Sequence, residues 1–208
     1  MTALSDQMIS EELKRYGVVS TVEISSAIRA YIPLMLYWNR RISLTTITDP
    51  IDIVRFHFGE SMFPAPILVN RNGRLADVGS GAGFPGIPLK LVVPSLDVVL
   101  IESNAKKASF LSEAIRELKL EHVEVYRGSF AALDGKGLFF DYIGARALGM
   151  HEEFVNWSRR AVNLGGSIVL WLGEHDATQV SKEVSWKWED PLPIPGSLRR
   201  TVLVGTAV

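Results

Sequence analysis

Residues 75–86 read LADVGSGAGFPG and constrain the fold of this chain more than any other stretch. A short apolar run carrying a single acid, Asp77, breaks into glycines at Gly79, Gly81, Gly83 and Gly86. A buried strand that ends this way turns tightly and lets backbone approach a ligand, because glycine accepts positive φ and carries no side chain. Pro85 suits the first turn of a following helix, where a missing N–H costs nothing. Strand, glycine loop and helix N-terminus in that order form the layout of a nucleotide-binding crevice.

The chain around this loop divides in two. Residues 1–70 read as a helical segment. Ser5 or Ser10 can cap a first helix running through Tyr16, and Ser20 or Thr21 can open a second. Ile24, Ile28, Tyr31, Ile32, Met35, Leu36 and Trp38 keep helical spacing, with a kink expected at Pro33. Asp49 as cap and Pro50 at the first helical position predict a helix over Ile51–Met62. Asn70–Gly73 makes the turn into the glycine-loop strand.

Residues 71–208 alternate between strand and helix. Strands are expected at Leu75–Val78, Val98–Ile101, Val123–Tyr126, Phe140–Ile143 and Ile168–Leu172, with helices over 86–93, 106–119 and 152–163. Apolar strands alternating with helices mean a parallel sheet covered on both faces. Val184–Trp188 and Thr201–Thr206 lack a helix between them and predict a terminal antiparallel hairpin. The expected fold is α/β and Rossmann-like: a mostly parallel seven-stranded sheet with an antiparallel terminal strand, preceded by the small helical segment.

Composition bounds the function. With 208 residues and 47% hydrophobic content, a full core is feasible. The absence of cysteine removes disulfides, zinc thiolates and thiol nucleophiles and fits a cytoplasmic location. No basic leader followed by an apolar run opens the chain, and no apolar run approaches membrane-spanning length, so no membrane partner is expected. A net charge of −1 does not advertise a nucleic-acid binder. Basic pairs at Arg40–Arg41, Lys106–Lys107, Arg159–Arg160 and Arg199–Arg200 are expected to be mostly solvated surface, although several could assemble one local patch.

Two templates compete for the loop. Gly81 to Gly86 satisfies the dinucleotide fingerprint G-x-G-x-x-G, with Glu102 about 20 residues on as a ribose acid. In a dinucleotide site, however, the first fingerprint glycine follows the strand directly, whereas here Gly79 and Ser80 intervene. Leu75–Gly83 meets the methyltransferase pattern, two apolar residues then Asp-x-Gly-x-Gly-x-Gly, at every position. Its cofactor, S-adenosylmethionine, has no pyrophosphate and needs close backbone approach, an acid near its ammonium and a second acid at its ribose. Asp77 and Glu102 supply those acids. Either could instead be structural, Asp77 tying down the loop and Glu102 capping the next helix. The methyltransferase reading accounts for more of the residues.

Four segments then resemble one family, the RsmG (GidB) methyltransferases of bacterial small-subunit ribosomal RNA. YWNRRISLTTI (37–47) resembles its Trp-Asn-x-x-Ile-Asn-Leu-Thr block, with Ser43 in place of the second Asn. RFHFGES (55–61) resembles its His-x-x-Asp-Ser, with Glu60 where Asp is usual. LADVGSGAGFPGIPLK (75–90) is close to its cofactor loop throughout, and IESNAKKASFL (101–111) matches its acid-Ser-x-x-Lys-Lys-x-x-Phe-Leu block. The resemblance implies methyl transfer from S-adenosylmethionine to a guanine N7 in the small ribosomal subunit, by a protein expected to be monomeric. It implies cofactor contacts at Asp77, Gly79, Gly81, Gly83, Phe84, Glu102, at Gly128 and Ser129 beside adenine, and at Arg146. Beyond Ser43 and Glu60, the three departures that matter most are Ser129 where the family has glutamate, Ala145 where it has serine before the arginine, and Leu172 where it has lysine.

Methylating guanine N7 uses an in-plane lone pair and needs no general base, which fits the absence of a Ser-His-Asp set or a metal cluster. The four histidines, His57, His122, His151 and His175, show no metal-ligand spacing. His57, Trp38 and Asn39 could serve the acceptor or brace the junction; Asn39 and Arg127 are the acceptor-binding candidates. Arg146 could hold the cofactor carboxylate or an RNA phosphate, or be buried and structural. Trp157, Trp171, Trp186 and Trp188 are expected to be mainly core. The helical segment is the candidate for RNA docking and for covering the site. A different methyl acceptor, or a module binding cofactor and RNA without catalysis, remains an alternative.

Overall fold

The computed structural model describes residues 4–68, 72–146, 149 and 152–208. Residues 70 and 71 of the expected turn, together with Ala147 and His151, lie outside the described residues.

Helix α1 (Asp6–Lys14) starts at Ser5, whose hydroxyl accepts the Met8 N–H, and stops two residues short of Tyr16. Thr21 opens α2 (Val22–Asn39) by accepting from Ile24 N–H. This helix continues through Pro33 to Asn39 without breaking into two elements. Asp49 caps α3 (Pro50–Asp52) by accepting from both Ile51 and Asp52 N–H, with Pro50 at the first position as the sequence predicts. The same rod then widens into a π-helical stretch, Ile53–Gly59, and returns to α form in α4 (Glu60–Met62). A π turn inserts one extra residue and re-aims the side chains and carbonyls it carries. Periodicity alone did not predict it. The short α5 (Ala65–Leu68) completes the segment.

The sheet contains β1 (Arg74–Val78), β2 (Asp97–Glu102), β3 (Val123–Arg127), β4 (Phe140–Arg146), β5 (Val162–Gly173), β6 (Trp186–Trp188), β7 (Leu192–Pro193) and β8 (Arg200–Ala207). Their order is β3-β2-β1-β4-β5-β8-β6, with β7 paired beside β8. Pairings from β3 to β5 are parallel, and β8 runs antiparallel between β5 and β6. Seven strands on the main path and an antiparallel end match the expected fold; the two-residue β7 is an addition. The crossovers are α6 (Gly86–Val92), α7 (Ala105–Glu117) and α8 (Glu152–Ala161), and α9 (Glu174–Val180) links β5 to the terminal strands. Glu174-His-Asp in the first turn of α9 masks a weakly apolar pattern, which is why this helix was not expected.

β1 lies inside the sheet between β2 and β4, at the point where strand order reverses, so the loop at its carboxyl end opens into the crevice used by α/β ligands. One apolar cluster joins Ile9, Ile28, Tyr31, Met35 and Phe58 of the helical segment to Leu75, Phe84, Ile87, Leu100 and Phe110 around β1 and β2. The opposite face holds Phe140, Phe154, Trp157, Ile168 and Leu170. Trp157, Trp171 and Trp186 are buried and Trp188 is partly buried, in keeping with a core role. Among the described residues no helix is long and apolar enough to cross a membrane.

Gly59 marks the tightest joint between α1 and the π stretch: a Cβ there would lie 2.3 Å from the buried Tyr16 ring. Gly59→Ala should therefore cost about 1–3 kcal/mol through overpacking, read as a lower urea midpoint with an unchanged slope.

Candidate active site

After Val78 the chain turns sharply. Gly79 and Ser80 N–H both donate to Ile101 O, at 2.9 and 3.1 Å, so the loop is stitched to the end of β2. Gly83 has φ of +79°, and a Cβ there would also meet Ile87 Cδ1 at 2.5 Å; no other residue type fits without strain. Gly86 is needed for a different reason. A Cβ would lie 2.7 Å from Asp77 Oδ2 and 2.5 Å from Leu100, closing the gap through which α6 approaches β1.

That approach explains Asp77. The side chain is fully buried beneath the loop, and Oδ2 accepts the Gly86 N–H at 2.9 Å. Its other oxygen, Oδ1, is buried without a hydrogen-bond partner among the described residues. Burial pushes the Asp77 carboxyl up to about 7, against the opposing pull of the Gly86 N–H. Asp77 therefore pins the loop from below. Glu102 occupies the rim instead: at the end of β2, its Oε2 accepts Gly81 N–H at 2.9 Å and its Oε1 accepts Asn104 N–H at 2.7 Å. Each carboxylate oxygen has a further lone pair beyond the one so used.

The helical segment covers this loop. The Tyr31 hydroxyl donates to Ala82 O within the loop. The Tyr31 ring meets Phe58, Phe84 and Phe110 edge-to-face at centroid distances of 5.4, 5.7 and 6.0 Å. His57 stacks on Phe84 at 4.7 Å and 20°, with its Nε2 2.7 Å from Thr45 Oγ1. Burial, reinforced by the Arg146 and Arg200 charges, pulls the His57 imidazole down to about 4. The ring is thus neutral at pH 7.

Arg146 is where the structure departs most from the site expected from sequence. Its guanidinium is engaged by the π stretch and the turn that follows it. Nη1 donates to Ser61 Oγ and His57 O at 2.9 and 3.2 Å; Nη2 donates to Phe56 O at 2.5 Å and to Glu60 Oε2 at 3.0 Å. Glu60 is itself buried, and Arg200 clasps it through both guanidinium ends, at 2.9 and 2.7 Å. Of the two readings, cofactor or phosphate ligand and buried structural cation, the contacts are those of the second. Burial raises the Glu60 carboxyl above its ordinary value and the two arginines oppose it.

The remaining candidates separate. Asn39 spends its amide on the following loop, accepting from Leu44 and Thr45 N–H and donating to Thr45 O, at 2.9 to 3.0 Å. It braces the junction and is not extended toward an acceptor. Gly128 N–H donates to Glu102 O, and a Cβ on Gly128 would strike the Tyr126 ring at 2.7 Å. Ser129 is exposed and precedes the short 3-10 turn Phe130–Leu133. Arg127 is exposed at the carboxyl edge, in register with Glu102. Leu172, where a lysine was expected, is buried, and the next pair along the β5–β8 ladder brings Arg200 opposite Gly173. Sequence reading missed Tyr31, Glu60 and Arg200 as parts of the site's support. A lone acid inside the apolar stretch RFHFGES was the available signal for Glu60; nothing distinguishes Tyr31 from its apolar neighbours on α2.

The loop fits a cofactor that needs bare backbone and carboxylates. Gly79 lies exposed on the crevice side, only loop backbone lies within 4 Å of where a Gly81 Cβ would be, and Glu102 retains acceptor capacity beside it. This sheet order and this site define a class I S-adenosylmethionine-dependent methyltransferase. Solved structures agree on the fold: a ribosomal protein L11 methylase from Lactobacillus delbrueckii subsp. bulgaricus superposes with a TM-score of 0.60 at 16% identity, covering 74% of this chain and 79% of that one. An S-adenosylmethionine-dependent methyltransferase from Aquifex aeolicus gives 0.59 at 16% identity, covering 77% and 99%. The family model for rRNA small subunit methyltransferase G matches residues 24–188, and the chain belongs to that family. The ribosomal RNA small subunit methyltransferase G of Pseudomonas entomophila (strain L48) is 32% identical over 206 residues, 94% of each chain. Its counterpart from Xanthomonas campestris pv. campestris (strain B100) is 33% identical over 177 residues, 84% of this chain and 82% of its own.

Two outcomes follow from the buried acids. Because the folded state raises the Asp77 pKa from 3.8 to about 7, the folded protein holds this proton more tightly, and its stability falls as pH rises through that window. Asp77→Asn keeps an acceptor for Gly86 N–H and removes the charge. Without cofactor, the variant should gain on the wild type between pH 5 and pH 8 in urea unfolding, by on the order of a few kcal/mol. A pH-independent difference would refute this account. Arg146→Ala should lose about 3 kcal/mol, since it strips one of two cations from a buried carboxylate; calorimetric melting checks it.

Proposed function

We propose that this chain transfers a methyl group from S-adenosylmethionine to N7 of a guanine in small-subunit ribosomal RNA, as a monomer working in the cytoplasm. The observation that carries the reading is the glycine loop with Glu102 on its rim, in a chain whose family assignment covers residues 24–188.

S-adenosylmethionine supplies an activated methyl on a sulfonium and leaves the protein no bond-breaking group to provide. The bare backbone at Gly79, Gly81 and Gly83 admits it, and Glu102 accepts from the ribose hydroxyls with the lone pairs that Gly81 and Asn104 leave free. Gly128 and Ser129 flank the adenine. Ser129 has no carboxylate for the adenine amino group, so a backbone carbonyl serves there. Asp77 acts from beneath, fixing the loop through the Gly86 N–H. Phe84 and His57 form the wall at the methionine end. His57 is neutral at pH 7, so no cation faces the sulfonium from that side. A guanine N7 with its in-plane lone pair would need no proton removed to take a methyl from the bound cofactor, so no residue of this chain has to act as a base. The residues' work is alignment, worth up to about 7–11 kcal/mol in favourable systems. Arg146 contributes by holding the π stretch, and with it His57, against the sheet.

The acceptor base must leave its stack, at a cost of a few kcal/mol that is lower in a loop. We assign docking of the RNA and cover of the site to the helical segment, residues 1–70, and methyl transfer to residues 71–208, with Arg127 at the acceptor edge.

Tritiated methyl transfer to purified small ribosomal subunits lacking the modification tests this reading. Incorporation at a single guanine, weakening as salt rises, is expected. Incorporation only into a small molecule or a protein would refute it. Glu102→Ala should weaken S-adenosylmethionine binding by roughly 1–3 kcal/mol in calorimetry, since it removes charge-assisted hydrogen bonds.

A further inference from the structure

We infer that the carboxyl-terminal end of α2 carries a landing surface for a single-stranded segment of the RNA substrate, built on Tyr37, Arg40 and Arg41. The inference rests on the RNA reading above and gives it a location.

Three observations converge there. Between Glu23 and Asp49 the chain has no acidic residue and three arginines, Arg29, Arg40 and Arg41, in a protein whose net charge is −1. Tyr37 is 51% exposed, a large aromatic ring left in solvent, and the Arg41 guanidinium lies over it at 4.1 Å from the centroid. Beside the ring runs a groove of about 420 Å³ with Ile32, Pro33 and Leu36 lining it and Arg29 and Arg40 contributing cations. Arg29 is already paired with Asp6, which leaves Arg40 and Arg41 as the cations for a backbone.

This combination fits unpaired RNA. Bases splayed from a loop stack on aromatic and guanidinium planes, and arginines beside them meet the phosphates. An apolar groove alone would suit a protein helix equally well; the acid-free stretch and the stacked guanidinium favour a polyanion with flat bases.

The surface also leads to the methyl-transfer crevice. Asn39, two residues after Tyr37, holds the loop at Leu44 and Thr45. The Thr45 hydroxyl meets His57, and His57 lies on Phe84 of the glycine loop. Trp38 packs on Phe110 of α7, the helix that carries Lys106 and Lys107 in its first turn, a few residues after Glu102. Tyr37 is thus joined, through its neighbours Trp38 and Asn39, to the two elements that border the glycine loop.

The test compares wild type with Tyr37→Ala and with Arg40→Glu/Arg41→Glu, each in the full chain. Binding to unmethylated small subunits is followed by fluorescence anisotropy across a salt series, with S-adenosylmethionine affinity as the folding control. Expected are unchanged cofactor affinity, subunit binding at least 10-fold weaker in the double variant, and a shallower salt slope. Tyr37→Ala should weaken binding at all salt concentrations without changing the slope, and Arg40→Lys/Arg41→Lys should restore most of it. Equal subunit binding by wild type and both glutamate-free and glutamate-bearing variants would overturn the proposal. So would a wild-type dimer that the variants dissolve, since the groove would then seat a second copy. If the wild type binds subunits through this surface but transfers no methyl group, the landing surface stands and the catalytic reading fails.

Discussion

A carboxylate with 2% of its surface exposed, Glu60, sits between two guanidiniums that come from strands at either side of β5. An isolated buried charge of this kind would be prohibitive, and its partners are what make the position tenable. Arg146 reaches it from the end of β4 and Arg200 from the start of β8, so a single residue of the helical segment fastens that segment to two strands. Arg146 also takes up Phe56 and His57 carbonyls in the π stretch, and the Trp171 indole takes up Glu60 O at 2.7 Å. The placement of His57 over the cofactor loop follows from this fastening. So does the loss of Arg146 as a ligand: a guanidinium already forming four hydrogen bonds in the joint has little left for a phosphate or carboxylate elsewhere.

The surroundings of the loop suit a reaction in which positive charge is present throughout and only changes its bearer. Aromatic rings and a neutral imidazole pack around Phe84 of the loop, and the loop's carboxyl groups stand in two places, Asp77 beneath it and Glu102 on its rim. Such a site does not need titrating side chains at the reacting atoms. Its demands fall instead on the stiffness of the wall, which here comes from the shared core of helices and sheet.

Much of this architecture is legible in sequence because local signals state it. Asp49-Pro50 fixes a helix start, glycines at fixed intervals fix the loop, and apolar runs broken by turns fix the strands. The place of Glu102 on the rim of the loop is equally legible, since it stands at a set distance past a recognisable glycine pattern. What could not be read is whatever depends on two distant residues meeting. Arg146 and Glu60 are 86 positions apart, and neither carries a mark of the other. Asn39 shows the same limit over a short range. Its motif placed it near the acceptor, but only the fold reveals that its amide oxygen accepts from Leu44 and Thr45 and that its nitrogen donates to Thr45 O. The π stretch escaped for another reason: one extra residue in a turn leaves a helical pattern nearly unchanged.

The Tyr31 hydroxyl on Ala82 O and the His57 ring on Phe84 tie the glycine loop directly to the helices. Any ligand that shifts the helices must alter the energy of the loop, and any ligand that orders the loop must alter the energy of the helices. Equilibrium requires the two effects to be equal: a ligand engaged on the helical segment changes the affinity of a ligand at the loop by the same factor as the loop's ligand changes its own. Two ligands bound at these two places are thereby coupled through the Tyr31 hydroxyl, through the rings of Tyr31, His57 and Phe58 against Phe84, and through the apolar core that helices and loop share. The order in which they arrive is free to vary while their mutual preference is not.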